Sequence, residues 1–183
     1  MTVDRRVQRT RKALRGALLE LMRERGYESV SIQDIVDRAD VGRSTFYAHY
    51  ADKEDLLREN VAALGAHLRT QMDPAAAPHP ALAFARPMLA HVDAVRPMFV
   101  GLLGDKRSAV VHACFEDELA GLVREGLDDA DGAPAAAVEA VVVAGFFALA
   151  RWWVLEAPGL GVDAVHAIFV RLMAPALGTS VAD

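Results

Sequence analysis

Residues 31–53 have the sequence SIQDIVDRADVGRSTFYAHYADK, and this stretch decides the fold of the chain. Ser31 is a favoured N-cap residue, and Asp34 falls in the first turn, where its carboxylate suits exposed backbone amides. Apolar residues then recur at helical spacing on one face: Ile32, Ile35, Val36 and Ala39. The sequence therefore predicts a short amphipathic helix that begins after Ser31.

A turn and a second short helix follow. In the turn Asp40–Val41–Gly42, Asp tolerates the left-handed region and Gly enters it freely. The second helix is predicted from Arg43 to about His49, with Phe46 and Tyr50 turned inward because they stand four residues apart. The outward side chains are Arg43, Ser44, Thr45 and Tyr47. Residues 31–50 thus predict a helix-turn-helix suited to a DNA groove, although an ordinary helical hairpin with a polar face has the same spacing.

The segment Ala39–Leu56, ADVGRSTFYAHYADKEDL, resembles a motif of the TetR family of transcriptional repressors. The family pattern is AGVS-x-GTFY-x-HF-x-x-KE-x-L, and the resemblance is close over roughly residues 9–70 and limited to helix layout beyond them. Three positions depart from it: Asp40 replaces the usual Gly, Gly42 the usual Ser or Thr, and Tyr50 the usual Phe. DNA binding remains the expectation, but with these three departures the pattern does not predict which bases are preferred.

The resemblance implies a role for each exposed residue of the motif. Arg43, Ser44 and Thr45 are expected to reach base edges. Tyr47, His49 and Lys53 are expected to hold the phosphate backbone, and Lys53 does so at a helix N-terminus, where exposed amides also favour an anion. Ser31 completes the predicted DNA-facing set.

Charge is distributed unevenly along the chain, whose net charge is -5. Residues 1–25 hold eight basic and three acidic side chains, whereas residues 61–183 hold eight and fourteen. Because attraction to phosphate is screened over about 8 Å at physiological salt, a basic end and an acidic body are compatible with DNA binding. The basic run is predicted to form a frayed arm before the first helix, either as solvated charge or in contact with DNA: Arg5, Arg6, Arg9, Arg11 and Lys12.

Helical periodicity without strand alternation predicts an all-α fold of about nine helices. Gly26 ends the first helix, and Asp52 caps a longer helix that runs to about Met72. The proline-rich segment 73–80 marks a boundary. Later helices are predicted at about 81–95, 97–104, 106–127, 135–156 and 162–177. The predicted domains are the helix-turn-helix domain 1–50, the connecting helix 51–72 and an effector-binding and dimerisation domain 81–183.

Two apolar helices near the end of the chain predict a homodimer. The helix 135–156 is apolar all round from residue 140 to 150, a run of about 11 residues that is short for a bilayer span of about 20. Such a helix needs cover on every side, so one face is expected to pack on a second subunit. The TetR resemblance implies the same use of the last two long helices. The predicted interface is Val142, Phe146, Leu149, Trp153, Val165, Phe169 and Leu172.

Large side chains between residues 81 and 156 are candidates for an effector site. They either fill the core or surround a cavity, and the resemblance implies a ligand that controls release from DNA. The mixture of groups favours a small, largely apolar effector. The candidates are Phe84, Met88, His91, Phe99, Leu103, His112, Phe115, Phe147 and Trp152.

No sequence pattern indicates catalysis, a cofactor or a metal. HExxH, G-x-S-x-G, P-loop and Gly-rich dinucleotide motifs are absent. His112 and Cys114 point about 200° apart on a helix, and the acidic turn at Asp128, Asp129 and Asp131 lacks EF-hand spacing. The single cysteine and a first stretch without an apolar signal core favour a cytoplasmic protein that is not an enzyme and has no contact with a membrane.

These observations predict a ligand-responsive repressor that acts as a homodimer on a roughly palindromic double-stranded operator. The alternative is a TetR-like co-activator or protein-interaction module that docks on a partner protein. Repression or activation, and one dimer or two per operator, stay open.

Overall fold

The computed structural model describes residues 2–104, 109–127 and 134–178, and the regular structure within these ranges is entirely helical. The predicted all-α fold with nine α-helices is therefore confirmed for the described residues. The helices are α1 Thr2–Arg25, α2 Ile32–Ala39, α3 Arg43–Tyr47, α4 Lys53–Gln71, α5 Ala85–Ala94, α6 Arg96–Gly104, α7 Ala109–Arg124, α8 Ala135–Leu155 and α9 Val162–Met173. The predicted acidic turn at Asp128, Asp129 and Asp131 lies outside the described residues.

The chain forms two compact units whose boundaries differ from those of the predicted domains. One unit comprises Met1–Ala63 with Gly101–Cys114, and the other comprises Leu64–Val100 with Phe115–Asp183. The divisions fall within α4, α6 and α7, and the proline-rich segment 73–80 lies inside the second unit.

The first unit is built on the packing of α1 against α2. Apolar side chains at helical spacing meet in its core, where Leu14, Leu18, Ile35, Phe46 and Leu56 are completely buried. Gly26, at φ 78°, ends α1 because its backbone enters the left-handed region without a Cβ clash.

The predicted frayed arm is wrong, since α1 is already helical at Thr2. Its first 25 residues contain no Gly before position 16 and no Pro, so no helix breaker separates an arm from the helix. The early basic residues therefore lie on a helix and have defined faces.

The second unit is centred on α5, α8 and α9. Three buried rings form its core: the Phe84 and Phe146 centroids lie 5.3 Å apart, and both rings contact Phe169 at 6.2 and 5.5 Å. The indole Nε1 of the fully buried Trp153 donates to the carbonyl of Leu160 at 2.9 Å.

The predicted helix 81–95 is divided. A 3₁₀ turn at Pro80–Leu82 precedes α5, because the His79 ring accepts a hydrogen bond from the amide of Ala81 at 3.2 Å and Pro80 starts the turn. Pro97, where the next predicted helix begins, lies in the first turn of α6, where a proline has no helical hydrogen bond to lose.

Helix α8 is longer than the apolar run predicted to be too short for a bilayer. Over its 21 residues, length and composition alone would allow it to cross a membrane, so the argument from 11 residues does not exclude a span. The core helix of a soluble protein can have the same length and composition. One face of α8 is buried in this way, and it carries Val142, Phe146 and Trp153.

Candidate nucleic-acid interface

The helix-turn-helix begins with a complete capping box. The amide of Asp34 donates to Ser31 Oγ at 3.2 Å, and the amide of Ser31 donates to Asp34 Oδ2 at 2.8 Å. Hydrogen bonds from Ser31, and then the guanidinium of Arg25 at 2.8 Å, hold the pKa of the Asp34 carboxyl well below its usual range. Ser31 is exposed, but its hydroxyl is engaged as the cap of α2.

The turn between α2 and α3 depends on Asp40 and not on Gly42. Asp40 has φ 51° and ψ 51°, and its amide bonds to the carbonyls of Asp37 and Val36. Gly42 has φ -71° and caps α3 without a side-chain hydrogen bond. The left-handed residue of the turn therefore lies at the position where the sequence departs from the usual glycine.

Helix α3 presents the predicted polar face. Phe46 and Tyr50 are buried, as their spacing predicted, whereas Arg43, Ser44 and Tyr47 are exposed. Arg43 Nη2 donates to the Tyr47 hydroxyl at 3.3 Å, and its guanidinium carbon lies 5.7 Å from the Tyr47 ring centroid. The ring thus holds the arginine near one orientation at the surface.

Thr45 and His49 are half-buried because they line a groove beside α1. The groove has a volume of about 670 Å³, and Arg6, Val7 and Thr10 form its α1 wall. Arg6 belongs to the basic run that the sequence predicted, whereas Val7 and Thr10 are not among the predicted residues. Their helical spacing with Arg6 was the available signal, and it was missed because this segment was predicted to be an arm.

The basic residues of α1 fall into two groups. Arg11 and Arg15 contact the carboxylate of Glu59 on α4, at 2.7 and 3.5 Å. At the other end of α1, Arg25 pairs with Asp34. Within the described part of the chain, the remaining basic residues of α1 have no ion pair: Arg5, Arg6, Arg9, Lys12 and Arg23. Of these, the four in the N-terminal half of α1 lie on the same part of the helix as the groove.

Lys53 is not a free cation at a helix terminus. Its ammonium donates to the backbone carbonyls of Tyr27 at 3.0 Å and Val30 at 2.9 Å, and lies 4.0 Å from the Tyr27 ring centroid. Desolvation in this half-buried position lowers its pKa. The structure therefore gives Lys53 internal partners that the predicted phosphate contact did not include.

Five residues of the predicted dimer interface are completely or almost completely buried within their own chain: Val142, Phe146, Trp153, Val165 and Phe169. Their side chains have almost no exposed surface, so the structure does not present them to a partner. Of the other two residues, Leu149 is half-buried and Leu172 is 57% exposed.

A different face of α8 is open. Apart from Arg151, the exposed positions of this face that recur every three or four residues are small or apolar: Ala137, Val141, Ala144, Ala148, Trp152 and Leu155. On α9, Ala164, Ala167 and Leu172 are exposed and Ile168 is partly so. We call these ten residues the apolar stripe; its α8 part lies about 130° around the helix from the face that was predicted.

The predicted effector residues occupy three kinds of environment. Phe84, Met88, Phe99 and Phe115 are buried, and His91 and Phe147 are half-buried. His112 and Trp152 lie on the surface. Leu103 lies outside the residues whose side chains are described.

His91, Phe99 and Phe115 are brought together. The ring centroids of Phe99 lie 6.3 Å from His91 and 6.1 Å from Phe115. Burial, with a smaller effect of His67, lowers the pKa of His91, so its imidazole is neutral at neutral pH. A separate cleft of about 210 Å³ in the second unit contains none of the predicted residues; Gln71, Leu82, Arg86 and His166 are among its lining residues.

In the described ranges, no group of three or more His, Cys, Asp or Glu side chains is arranged to hold a metal ion. His112 is exposed and Cys114 is buried, so the two side chains point in different directions.

Comparison with known proteins agrees with this geometry. Residues 14–59 match the family model for bacterial regulatory proteins of the tetR family. An uncharacterised HTH-type transcriptional regulator of Bacillus subtilis, YxbF, is 47% identical over 57 residues, which are 31% of this chain. The chain covers only 15% of that relative's length.

Solved structures extend the similarity beyond the motif. A TetR transcriptional regulator from Streptococcus agalactiae is 26% identical, with a TM-score of 0.69 over 94% of this chain and 98% of its own. The fold is also that of FadR from Thermus thermophilus, a TetR-family repressor crystallised with lauroyl-CoA, at 18% identity and a TM-score of 0.56 over 94% and 97% of the two chains. The motif match identifies residues 14–59 as a segment of the tetR family of regulatory proteins, and the full-length structural match shows that the fold is that of TetR transcriptional regulators.

Proposed function

We propose that the chain binds double-stranded DNA through the exposed face of α3 and the adjoining N-terminal part of α1. The observation that carries the proposal is the groove that joins Arg6 of α1 to Ser44, Thr45 and His49 of α3. Arg43 and Ser44 at the exposed start of α3 are suited to base edges, while Tyr47, His49 and Arg6 suit the backbone.

The proposed assembly is a homodimer that covers the apolar stripe of α8 and α9. Two recognition helices related by a two-fold axis would then meet a roughly palindromic operator in successive major grooves. The exposed Val141, Trp152, Leu155 and Leu172 support this proposal, because large apolar side chains that are exposed to solvent favour association.

The proposed regulation is release from DNA by a small, largely apolar effector, so that the protein acts as a cytoplasmic repressor. Neutral His91 beside Phe99 and Phe115 supports a weakly polar ligand at this place in the second unit. A neighbour of the same fold was crystallised with lauroyl-CoA, which supports the capacity of the fold for a ligand with an apolar chain. Such a ligand must bind more tightly to the conformation that does not match the operator. A ligand with equal affinity for the two conformations would not shift the equilibrium between them.

The test is a gel shift and footprint on the DNA that flanks the coding sequence, at two salt concentrations. Arg43→Ala should reduce the difference in affinity between operator variants. Arg6→Ala should weaken binding to all DNA sequences alike and should reduce the salt slope, which is the slope of log affinity against log salt concentration, by about one. Arg124→Ala, an exposed change at the end of α7 outside both the proposed DNA-binding face and the apolar stripe, is the control and should leave binding unaltered. Weak, salt-insensitive binding to every DNA would contradict the proposal and favour the protein-interaction alternative, which the relatives described above do not support.

A further inference from the structure

Lys53 connects the two ends of the helix-turn-helix. Val30, whose carbonyl accepts from the Lys53 ammonium at 2.9 Å, immediately precedes Ser31, the N-cap of α2. Lys53 is itself the first residue of α4. One hydrogen bond therefore closes a loop of 23 residues that contains all of α2, the turn and α3.

The second half of the contact fixes the turn that precedes α2. The Tyr27 carbonyl accepts from the same ammonium at 3.0 Å, and the Tyr27 ring packs against the cation at 4.0 Å. Tyr27 and Val30 are both buried, and the Val30 amide bonds to the Tyr27 carbonyl at 3.1 Å. The ammonium is thus held by a rigid turn.

This environment leaves Lys53 little capacity for phosphate. An ammonium has three N–H donors, and two of them are directed at carbonyl oxygens within the protein. By contrast, Arg5, Arg6, Arg9 and Lys12 of α1 have no internal ion pair in the described chain. Contact with a phosphate costs these side chains no internal bond, so they are the better candidates for counterion release.

We propose that Lys53 is a positioning residue of the DNA-binding unit, which clasps the start of α2 to the start of α4 and so orients α3, and that it is not a phosphate ligand. This inference rests on the proposed DNA-binding function. Loss of the clasp should weaken specific binding only, because only the specific complex requires the correct orientation of α3. A phosphate ligand would contribute equally to specific and non-specific binding.

The test compares Lys53→Met with Arg6→Ala on an operator and on unrelated DNA, as a function of salt. For Lys53→Met we expect about a tenfold or greater loss of operator affinity, unchanged affinity for unrelated DNA and an unchanged salt slope. Arg6→Ala should instead lose affinity for both DNAs and reduce the salt slope by about 0.9. A Lys53→Met protein that behaves like Arg6→Ala on both DNAs would overturn the inference.

Hydrogen exchange of the DNA-free protein provides an independent measurement. Loss of the clasp should accelerate amide exchange in residues 31–50, and Lys53→Gln, which keeps a donor but no charge, should restore part of the protection. Unchanged protection in both variants would overturn the inference. If Lys53→Met does not fold, Lys53→Gln is compared with the wild type in both assays by the same criteria. If the wild type binds no DNA, the proposed function is wrong. Amide hydrogen exchange of residues 31–50 then still tests whether Lys53 holds the start of α2.

Discussion

Arg11 of α1 donates to Glu59 of α4 through Nη2 at 2.7 Å and through Nε at 3.3 Å. Arg15 lies 3.5 Å from the other carboxylate oxygen, and the Arg11 guanidinium is 5.9 Å from the Tyr50 ring centroid. One carboxylate on α4 therefore holds two cations of α1 within the first unit. Because these two arginines are engaged internally, the DNA-facing charge of α1 is confined to its other basic residues.

Glu59→Gln should destabilise the first unit by about 1 kcal/mol or less, since both arginines are partly exposed. Burial alone would raise the pKa of Glu59, but hydrogen bonds and charge from its partners outweigh it and the pKa is lowered. The contribution is thus present above the ordinary carboxyl pKa and is lost as the pH falls through the folded value. Urea unfolding should show a difference from wild type near neutral pH that shrinks as the pH falls below the ordinary carboxyl pKa. Glu54→Gln, which breaks the exposed pair with Arg58, is the control; an equal effect of both changes would contradict the assignment.

Ser31→Ala should cost about 1 kcal/mol of stability, because the amide of Asp34 loses its capping oxygen. The change should also raise the pKa of Asp34, whose lowered value depends first on Ser31 and then on Arg25. A lowered carboxyl pKa adds stability above its unfolded value, so the variant should lose less stability on acidification than the wild type. Chemical denaturation across pH measures both effects. Ser29→Ala, an exposed change that removes no cap of α2, should be nearly neutral, and a similar cost at both positions would contradict the capping role.

Gly65→Ala should break an ion pair. A Cβ at Gly65 would clash with the carboxylate of Glu118 on α7, so the glutamate side chain must move away from Arg69, which it contacts at 2.9 Å. Arg69 also binds Glu125 at 2.6 Å and should keep that contact. We expect a lower melting temperature for Gly65→Ala and partial recovery when Glu118→Ala is added. Gly121→Ala on α7 meets no atom within 4 Å, and should be neutral or stabilising by up to about 1 kcal/mol through helix propensity. Equal melting temperatures for the two single variants would show that the contact is unimportant.

Local patterns predicted the first unit well. The capping box, the inward Phe46 and Tyr50, and the end of α1 at Gly26 all depend on residues within four positions of one another, where spacing carries the information. The clasp was missed because its acceptors are backbone carbonyls 23 and 26 residues away, and a carbonyl has no sequence signature.

The apolar helix α8 shows a second kind of feature that could not be predicted from the sequence, which is the orientation of a helix about its own axis. A helix that is apolar on every side has no periodic phase, so the sequence cannot tell which face meets its own core. The prediction selected Val142 and Trp153, whereas the exposed residues are their neighbours Val141 and Trp152. An error of one position is a rotation of about 100°. The burial of each side chain, which depends on contacts with α5 and α9, corrected it.

The apolar stripe is expected to form the dimer interface. Val141→Glu should convert a dimer into a monomer, because two-fold symmetry would bury the new charge twice in one interface without partners. Leu172→Glu on α9 should act in the same direction, since it is also largely exposed. Light scattering at micromolar concentration should give twice the chain mass of 19.7 kDa for the wild type and about that mass for both variants.

Val100→Glu is the matched control for this prediction. Val100 on α6 is 43% exposed and does not belong to the apolar stripe, so the same substitution should leave the dimer intact. Circular dichroism of all three variants would separate dissociation from unfolding. A monomeric wild type would contradict the proposed dimer altogether, whereas a dimer that survives both Val141→Glu and Leu172→Glu would show that the chains associate through another surface. Loss of operator binding together with the dimer would link assembly to recognition, because one recognition helix alone meets only half of a palindrome.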